Sequence, residues 1–324
     1  MIHFIILSFA LLLDRLIGDP DWLWRRFKHP VAVFGAAIAW MDKQFNGKRL
    51  TARQKRSNGI MVILALLVAS VLAGFMISRL LDLLGIFGIV VEIVIVAIFL
   101  AQKSLSDHVL AVAAGLRDGG LEGGRRAVSM VVGRDPKTLD ESGICRAAIE
   151  TLAENFSDGV VAPALFYAVF GLPGLFAYKM LNTADSMIGH TSPRYLDFGW
   201  ASARLDDLFN WPAARLSMLL IAAGAAIARS RKAGLDALRL GLSDHGLHRS
   251  PNSGWPEAAM AGALGVALAG PRVYGGQMVS EPMLNGAGRT DASAMDIELA
   301  IRIFEASCTL FNVLVPTVAL IALL

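Results

Sequence analysis

Acids, amides and bases crowd into residues 141–211 of a chain otherwise dominated by apolar side chains. On a helix advancing about 100° per residue, Arg146, Glu150, Glu154, Ser157 and Asp158 fall on one face, and Cys145, Ala148, Ile149, Leu152 and Phe156 on the other. The next stretch repeats the design: Lys179, Asn182, Thr183, Asp185, Ser186 and His190 share one arc, with Phe176, Met180, Leu181 and Met187 opposite. A third group, Asp206 and Asp207, stands three to four residues before Asn210, on the same side of any helix that includes them. Many carboxylates without a cysteine cluster suit a hard cation such as Mg²⁺, which takes one or two carboxylates plus water and substrate phosphates. Lys179, Arg146 and Arg204 are placed to neutralise phosphate oxygens, and the amides of Asn155 and Asn182 to orient ligands or waters. Together these residues describe phosphoryl or nucleotidyl chemistry, in which catalysis is mostly positioning and charge stabilisation. A solvated helix face is the ordinary use of a charge run, but three polar stripes so close together in an apolar protein favour a site, with the stripes expected to converge on one pocket.

Familiar motifs narrow the field by their absence. The chain has no G-x-x-x-x-G-K-[ST], no strand followed by G-x-G-x-x-G, no kinase signature set, no His-pair metalloprotease signature and no G-x-S-x-G elbow. His245 and His248 stand three apart without a third ligand nearby, a weak metal signal. Two cysteines, Cys145 and Cys308, cannot build a disulfide framework, a zinc knuckle or an iron-sulfur site.

The elements that must position these residues are membrane helices. The chain has 324 residues, 55% hydrophobic and 18% charged, with a mean hydropathy of +0.55, too apolar for an ordinary soluble protein. The apolar runs 59–84, 86–100, 211–228 and 303–324 approach the roughly 20 residues a bilayer requires. Residues 1–13 read as an uncleaved first helix stopped by Asp14 and Arg15, and 256–270, rich in Ala and Gly, as a packed rather than lipid-facing helix. The pattern predicts an all-α polytopic integral membrane protein with about five to seven crossings, its polar site built from amphipathic and re-entrant helices. It reads as a single membrane-embedded helical domain over 1–324, with 104–140 a cytoplasmic connector of short helices. The net charge of +3 collects in loops such as Lys43, Lys48, Arg49, Arg53, Lys55 and Arg56, where the positive-inside rule puts cytoplasmic residues. Without interleaved aromatics, these clusters suit a lipid bilayer and not nucleic acid.

Local signals refine this. Asp14 and Asp19 at the end of a membrane helix are either functional or paired and capping. Trp22, Trp24 and Trp40 read as interface anchors, and 31–41 as a segment too short to span. Gly119-Gly120, Gly123-Gly124 and Gly133 break up helical pieces, Arg134-Asp135-Pro136 marks a turn, and Asp140, Glu141 or Ser142 is available to cap the helix after it. Between the first two polar stripes, 159–174 is broken by Pro163, Gly171, Pro173 and Gly174, which favours a re-entrant hairpin or buried turn over a crossing. Asn210 before Trp211-Pro212 suits an N-cap. The run from Ser250 through Pro251, Asn252, Ser253, Gly254, Trp255 and Pro256 to Glu257 is either a stiff turn or a loop aiming backbone N–H groups at an anion. Residues 275–289 read as a glycine-rich polar flap.

In order and content these residues resemble the CobD/CbiB family, the adenosylcobinamide-phosphate synthases of cobalamin biosynthesis. The resemblance rests on Asp14 with Gly18-Asp19-Pro20 and His29-Pro30-Val31, and on Glu150-Thr151-Leu152-Ala153-Glu154-Asn155 with Ser157-Asp158-Gly159. It continues through Lys179, Asn182-Thr183 and Asp185-Ser186-Met187, then Arg204-Leu205-Asp206-Asp207 with Asn210, and ends on Ser250-Pro251-Asn252-Ser253-Gly254-Trp255-Pro256. It covers nearly the full chain. Glu257 departs from it, where an apolar residue is expected after the proline.

The resemblance implies a multi-pass enzyme of the bacterial inner membrane that joins a carboxyl of adenosylcobyric acid, a corrinoid, to aminopropanol or its phosphate, using ATP and Mg²⁺. It leaves room for association with other corrin-pathway membrane enzymes. On this footing Glu150, Glu154, Asp158, Lys179 and Asp185 are the catalytic candidates, and Glu150, Glu154, Asp185, Asp206 and Asp207 the metal ligands. Arg146, Asn155, Asn182, Ser186, Arg204, Asn210, Ser250, Asn252, Asp19 and His29 are the substrate- and phosphate-binding candidates. Two rivals share the polar stripes: an Mg²⁺-dependent membrane prenyl- or alcohol-phosphate transferase that needs no ATP, and a transporter or non-catalytic regulator with a polar pore.

Overall fold

The computed structural model describes residues 2–132, 136–274, 277–279 and 281–321. Gly133, Arg134 and Asp135 of the expected turn, and Gly275, Gly276 and Ser280 of the expected flap, lie outside them. In chain order the helices are α1 (Ile2–Ile17), α2 (Asp21–Trp24), α3 (Pro30–Phe45), α4 (Ala52–Asp82), α5 (Ile86–Ile98) and α6 (Gln102–Val128). They continue with α7 (Glu141–Phe156), α8 (Ala162–Ile188), α9 (Trp200–Ala228), α10 (Arg231–Asp244), α11 (Gly254–Leu264) and α12 (Ala294–Ile321). Hydrocarbon offers no partner to a backbone N–H or C=O, so an apolar chain closes these bonds within helices. Among the described residues, five helical runs are long and apolar enough to cross a membrane: Ala52–Asp82, Ile86–Val128, Glu141–Ile188, Trp200–Ala228 and Ala294–Ile321. The protein is therefore all-α and multi-pass. The described sheet consists of two antiparallel ribbons: β1 (Leu268–Ala269) pairs with β4 (Met283–Leu284), and β2 (Arg272–Tyr274) with β3 (Gln277–Val279). Ribbon strands thus fall in and beside the segment read as a flap.

The chain's contacts fall into two compact units, one of 1–100, 162–210 and 318–324, the other of 101–161 and 211–317. In the first, α4 and α3 pack on α8, and α1 on α5 and α8. Ile38, Val62, Ile63, Leu66, Leu181, Ala184 and Phe198 form its core. In the second, α7 packs on α6 and α11, and α10 on α11. All of α11 except Trp255 is buried, so it is the packed helix its Ala and Gly content predicts. Residues 104–140, read as a connector, contribute the buried Val109, Val112 and Ala113 of α6 to this core. Two boundaries differ from expectation. α1 runs through Asp14 and Arg15 to Gly18 (φ 67°) instead of stopping at them. The helix expected to begin at Trp211 begins at Trp200, so Asn210 is interior to α9 and caps nothing.

One local device recurs three times. Gly85 (φ 55°, ψ −127°), Gly120 (φ 55°, ψ −151°) and Gly171 (φ 64°, ψ −153°) take a backbone conformation nearly closed to other residues. Each opens a Gly-x-x-Gly: Gly85-Ile86-Phe87-Gly88, Gly120-Leu121-Glu122-Gly123 and Gly171-Leu172-Pro173-Gly174. At each the helix doubles back, and the second glycine lies against the arm it has just left, at Leu81, Gly115 and Phe166 respectively. Across Gly171 the rings of Phe166 and Tyr178 stack with centroids 5.1 Å apart; twelve residues along an unbroken helix would separate them by about 18 Å. The reversal expected between the polar stripes is thus at Gly171, and Pro173 sits in the first turn after it, where its missing N–H costs little.

A side chain at Gly120 would meet nothing within 4 Å, whereas one at Gly171 would press on the His3 ring at 2.9 Å. Gly120→Ala is expected to lower stability by about 1–3 kcal/mol through backbone strain alone. Gly171→Ala should cost clearly more, and thermal unfolding of both variants in micelles checks the ranking.

Candidate active site

In the first unit the site is built on the start of α3, on α8 and on the first half of α9. His29 caps α3: its Nδ1 accepts the Val31 N–H at 3.2 Å, which leaves the ring proton on Nε2, 3.9 Å from Asp19 Oδ1. Trp24, expected at the membrane interface, packs edge-on against this imidazole at 4.5 Å. Burial pushes the His29 imidazole below its ordinary value of 6.5; Asp19 opposes that shift and Lys179 reinforces it. α8 carries Lys179, Asn182 and Asp185 at three-residue steps, hence on one face. α9 carries Asp206 and Asn210 four apart. Asn210 Nδ2 donates to Asp206 Oδ2 at 2.8 Å, and Asn210 Oδ1 accepts the Tyr178 hydroxyl at 2.8 Å. Asp185 and Asn182 both lie within electrostatic reach of Asp206. Asp206 is 9% exposed, and its Oδ1 is buried without a hydrogen-bond partner among the described residues. Such an oxygen in low dielectric is costly and invites a cation or a donor from a ligand. Asp207 instead faces Arg204 at 3.9 Å on the outer side of α9, and Ser186 is exposed, its hydroxyl donating to Asn182 O.

The second unit holds the other polar group. Asp140 caps α7, accepting the Gly143 N–H, and α7 buries Glu150, whose Oε1 accepts the Ala269 N–H at 2.8 Å. One turn on, Glu154 Oε1 accepts the Ser253 hydroxyl at 2.9 Å. α7 then opens into a π turn over Ser157–Val161, which includes the half-buried Asp158 and a buried Ser157 hydroxyl without a hydrogen-bond partner among the described residues. Asn155 Nδ2 donates back to Thr151 O. Arg146 Nη1 holds Ser142 Oγ and Thr290 O, tying α7 to the segment before α12. In the loop before α11, Ser250 Oγ accepts the N–H groups of Asn252 and Ser253 at 3.3 and 3.1 Å. Those two donors, read as available to an anion, are therefore taken by a side chain. His248 Nε2 lies 3.6 Å from the buried Glu257 Oε1, which accounts for an acid where an apolar residue was expected. His245 stacks on Trp255 at 3.7 Å.

Of the five expected metal ligands, Glu150 and Glu154 belong to the second unit and Asp185, Asp206 and Asp207 to the first. Among the described residues no three His, Cys, Asp or Glu side chains gather into a metal cage. The pair Asp185–Asp206 remains, the one or two carboxylates that Mg²⁺ ordinarily takes from protein. Sequence reasoning named Ser253 only as part of its loop and passed over Tyr178 and Arg215, whose Nη1 donates to Asn252 Oδ1 at 3.0 Å. A lone base in the apolar run after Trp211 was the available signal for Arg215.

A family model described as CobD/Cbib protein matches residues 7–304. The cobalamin biosynthesis protein CobD of a Sinorhizobium species is 63% identical over 317 residues, covering 98% of both chains. The protein so described from Sinorhizobium fredii is 64% identical, covering 94% of each chain. That of Brucella suis is 55% identical over 99% of this chain and 98% of its own. No solved structure matches.

Because burial lowers the His29 pKa in the folded chain, folding favours the neutral ring. The associated stability is whole above about 6.5, the unfolded value, and is lost as pH falls toward the depressed folded value. The thermal midpoint of the wild type should therefore decline below that pH more steeply than that of His29→Asn, which keeps a capping side chain but does not titrate.

Proposed function

The chain belongs to the CobD/CbiB family, and from that membership we propose that it is a membrane enzyme of cobalamin biosynthesis, an acid–amine ligase joining adenosylcobyric acid to (R)-1-amino-2-propanol or its O-phosphate at the expense of ATP. The observation that carries the reading, beyond the family match over residues 7–304, is the carboxylate–amide group of Asp185, Asn182, Asp206 and Asn210, with one buried carboxylate oxygen left over. Such hard oxygen donors fit Mg²⁺. Asp206 with Asp185 would hold the ion, which when bound supplies positive charge to phosphate oxygens.

A carboxylate does not form an amide with an amine at neutral pH, so it must first be activated. In the proposed sequence the corrinoid carboxylate attacks the γ-phosphoryl group of ATP, ADP leaves, and the amine then displaces phosphate from the acyl phosphate. Lys179 offers a point charge to phosphate oxygens, on the α8 face that also bears Asn182 and Asp185. His29, held neutral beside Lys179, does not add a second cation there. The substrate ammonium gives its proton to a carboxylate and attacks as the free amine; the candidate base of the first unit is Asp185, and that of the second is Glu154, oriented by Ser253 Oγ. Exclusion of water would reserve the acyl phosphate for the amine. We place the enzyme in the inner membrane with the basic loop of residues 43–56 in the cytoplasm.

Purified protein supplied with adenosylcobyric acid, aminopropanol phosphate and Mg-ATP should yield adenosylcobinamide phosphate and ADP in equal amounts. Glu154→Gln, Asp185→Asn and Asp206→Asn should each lower the rate by about 10²–10³-fold, the usual loss when a charge-stabilising group is removed. Wild-type rates in all three at normal protein levels would sink the assignment, and turnover without ATP would point to a phosphate transferase instead.

A further inference from the structure

Arg215 lies on α9 within the candidate membrane span Trp200–Ala228, where an ionised side chain is rare unless it is compensated or working. Its compensation is incomplete. Nη1 donates to Trp211 O at 2.9 Å and to Asn252 Oδ1 at 3.0 Å, both uncharged acceptors. No carboxylate stands within ion-pair distance, and Nε and Nη2 have no protein acceptor among the described residues. Two indoles flank the guanidinium, with the Trp211 and Trp255 rings each 4.5 Å from its central carbon, and Trp255 is itself backed by His245. The other described arginines with buried acid partners, Arg194 on Asp42 and Arg289 on Asp296, make direct ion pairs. Half-buried, Arg215 is held by aromatic faces, one amide and one backbone carbonyl, and among the described residues no acid pairs with it.

A planar cation held rigidly, with two edges of N–H donors to spare, matches the oxygens of a phosphate group in spacing and charge. The loop it is tied to brings the Ser250 and Ser253 hydroxyls and, through Ser253, Glu154. We propose that Arg215, pinned by Trp211, Trp255 and Asn252, is a phosphate-oxyanion site of the second unit. Under the proposed reaction, on which this assignment of the ligand's source rests, its occupant is a phosphate of ATP or of aminopropanol phosphate. A lipid headgroup offers the same chemistry and is separated by the test.

The probe is inorganic pyrophosphate, titrated into full-length protein in phosphate-free maltoside micelles. Tryptophan emission is the readout, since the cation stacks on two of the indoles. A saturable change is expected. It should weaken at least tenfold in Arg215→Gln and also in Arg215→Lys, which keeps the charge but not the fork, while Trp211→Phe and Trp255→Phe change the amplitude. Pyrophosphate binding by a folded Arg215→Gln with wild-type affinity overturns the proposal, as does the absence of saturable binding in the wild type. Should both arginine variants fail to fold, arginine-directed modification of the wild type decides. Pyrophosphate must protect Arg215 from phenylglyoxal, and equal labelling with and without it refutes the site. In phosphatidylglycerol nanodiscs, shielding of Arg215 without added pyrophosphate would assign the phosphate to the headgroup. Failure of amide synthesis with pyrophosphate still bound at Arg215 would leave this site standing and remove the reaction. Amide synthesis with an unchanged KM for both ATP and aminopropanol phosphate in Arg215→Gln would do the reverse.

Discussion

A backbone surrounded by hydrocarbon has to satisfy its own hydrogen bonds, and that requirement shapes this chain more than any side-chain preference. A helix can reverse in such surroundings only if few N–H and C=O groups are exposed at the bend. Gly85 and Gly171, in apolar stretches, accomplish the reversal at a single residue, as Gly120 does among charged neighbours, with the partner glycine three positions on letting the returning arm lie against the outgoing one. Helix length and polar placement follow. Because α8 turns at Gly171, Tyr178 comes back beside Phe166, and from there its hydroxyl reaches Asn210 on α9. The bend and the site are thus joined by one helix.

The same poverty of water makes every buried acid a question of who donates to it. Glu92 has the Tyr167 hydroxyl at 2.7 Å, Glu150 the Ala269 amide, and Asp42 the Arg194 guanidinium with Tyr195 and Asn46. Asp206 has Asn210 on one oxygen and, among the described residues, no hydrogen bond on the other, with a second carboxylate nearby. The contrast separates acids that hold helices together from one set up to receive a ligand. Arg194 itself is pushed above its ordinary pKa by its bond to Asp42, as befits a permanent clamp on the loop between α8 and α9.

The membrane class and the polar arcs of α7, α8 and α9 were legible because they are periodic and local: Lys179, Asn182 and Asp185 need only a helix to share a face. What could not be read depends on partners far along the chain. Asn210 before Trp211-Pro212 imitates a helix start, yet packing against Tyr178, 32 residues upstream, carries the helix through it. Arg146 also bonds the carbonyl of Thr290 across 144 residues, a contact no local pattern announces. The loop from Ser250 to Pro256 advertised free N–H groups, but the orientation of one hydroxyl, that of Ser250, decides their fate. The breaks at Gly120 and Gly171 were legible, but not the Gly-x-x-Gly form they share with Gly85, because the two intervening residues differ each time and a fourth such run, Gly262-Ala263-Leu264-Gly265, closes α11 instead of reversing a helix.

Ala269 joins two of these themes. It sits at φ 58°, a left-handed position that few side chains tolerate, and from there its N–H reaches the carboxylate of Glu150. The position thus discriminates among amino acids by main chain alone. Glycine would settle there more comfortably than the alanine now present. Proline is barred twice over, by ring geometry and by the missing hydrogen that now donates to a buried carboxylate. Main-chain geometry there favours glycine first and asparagine or aspartate next, and the burial of the position sets short uncharged residues ahead of the acid.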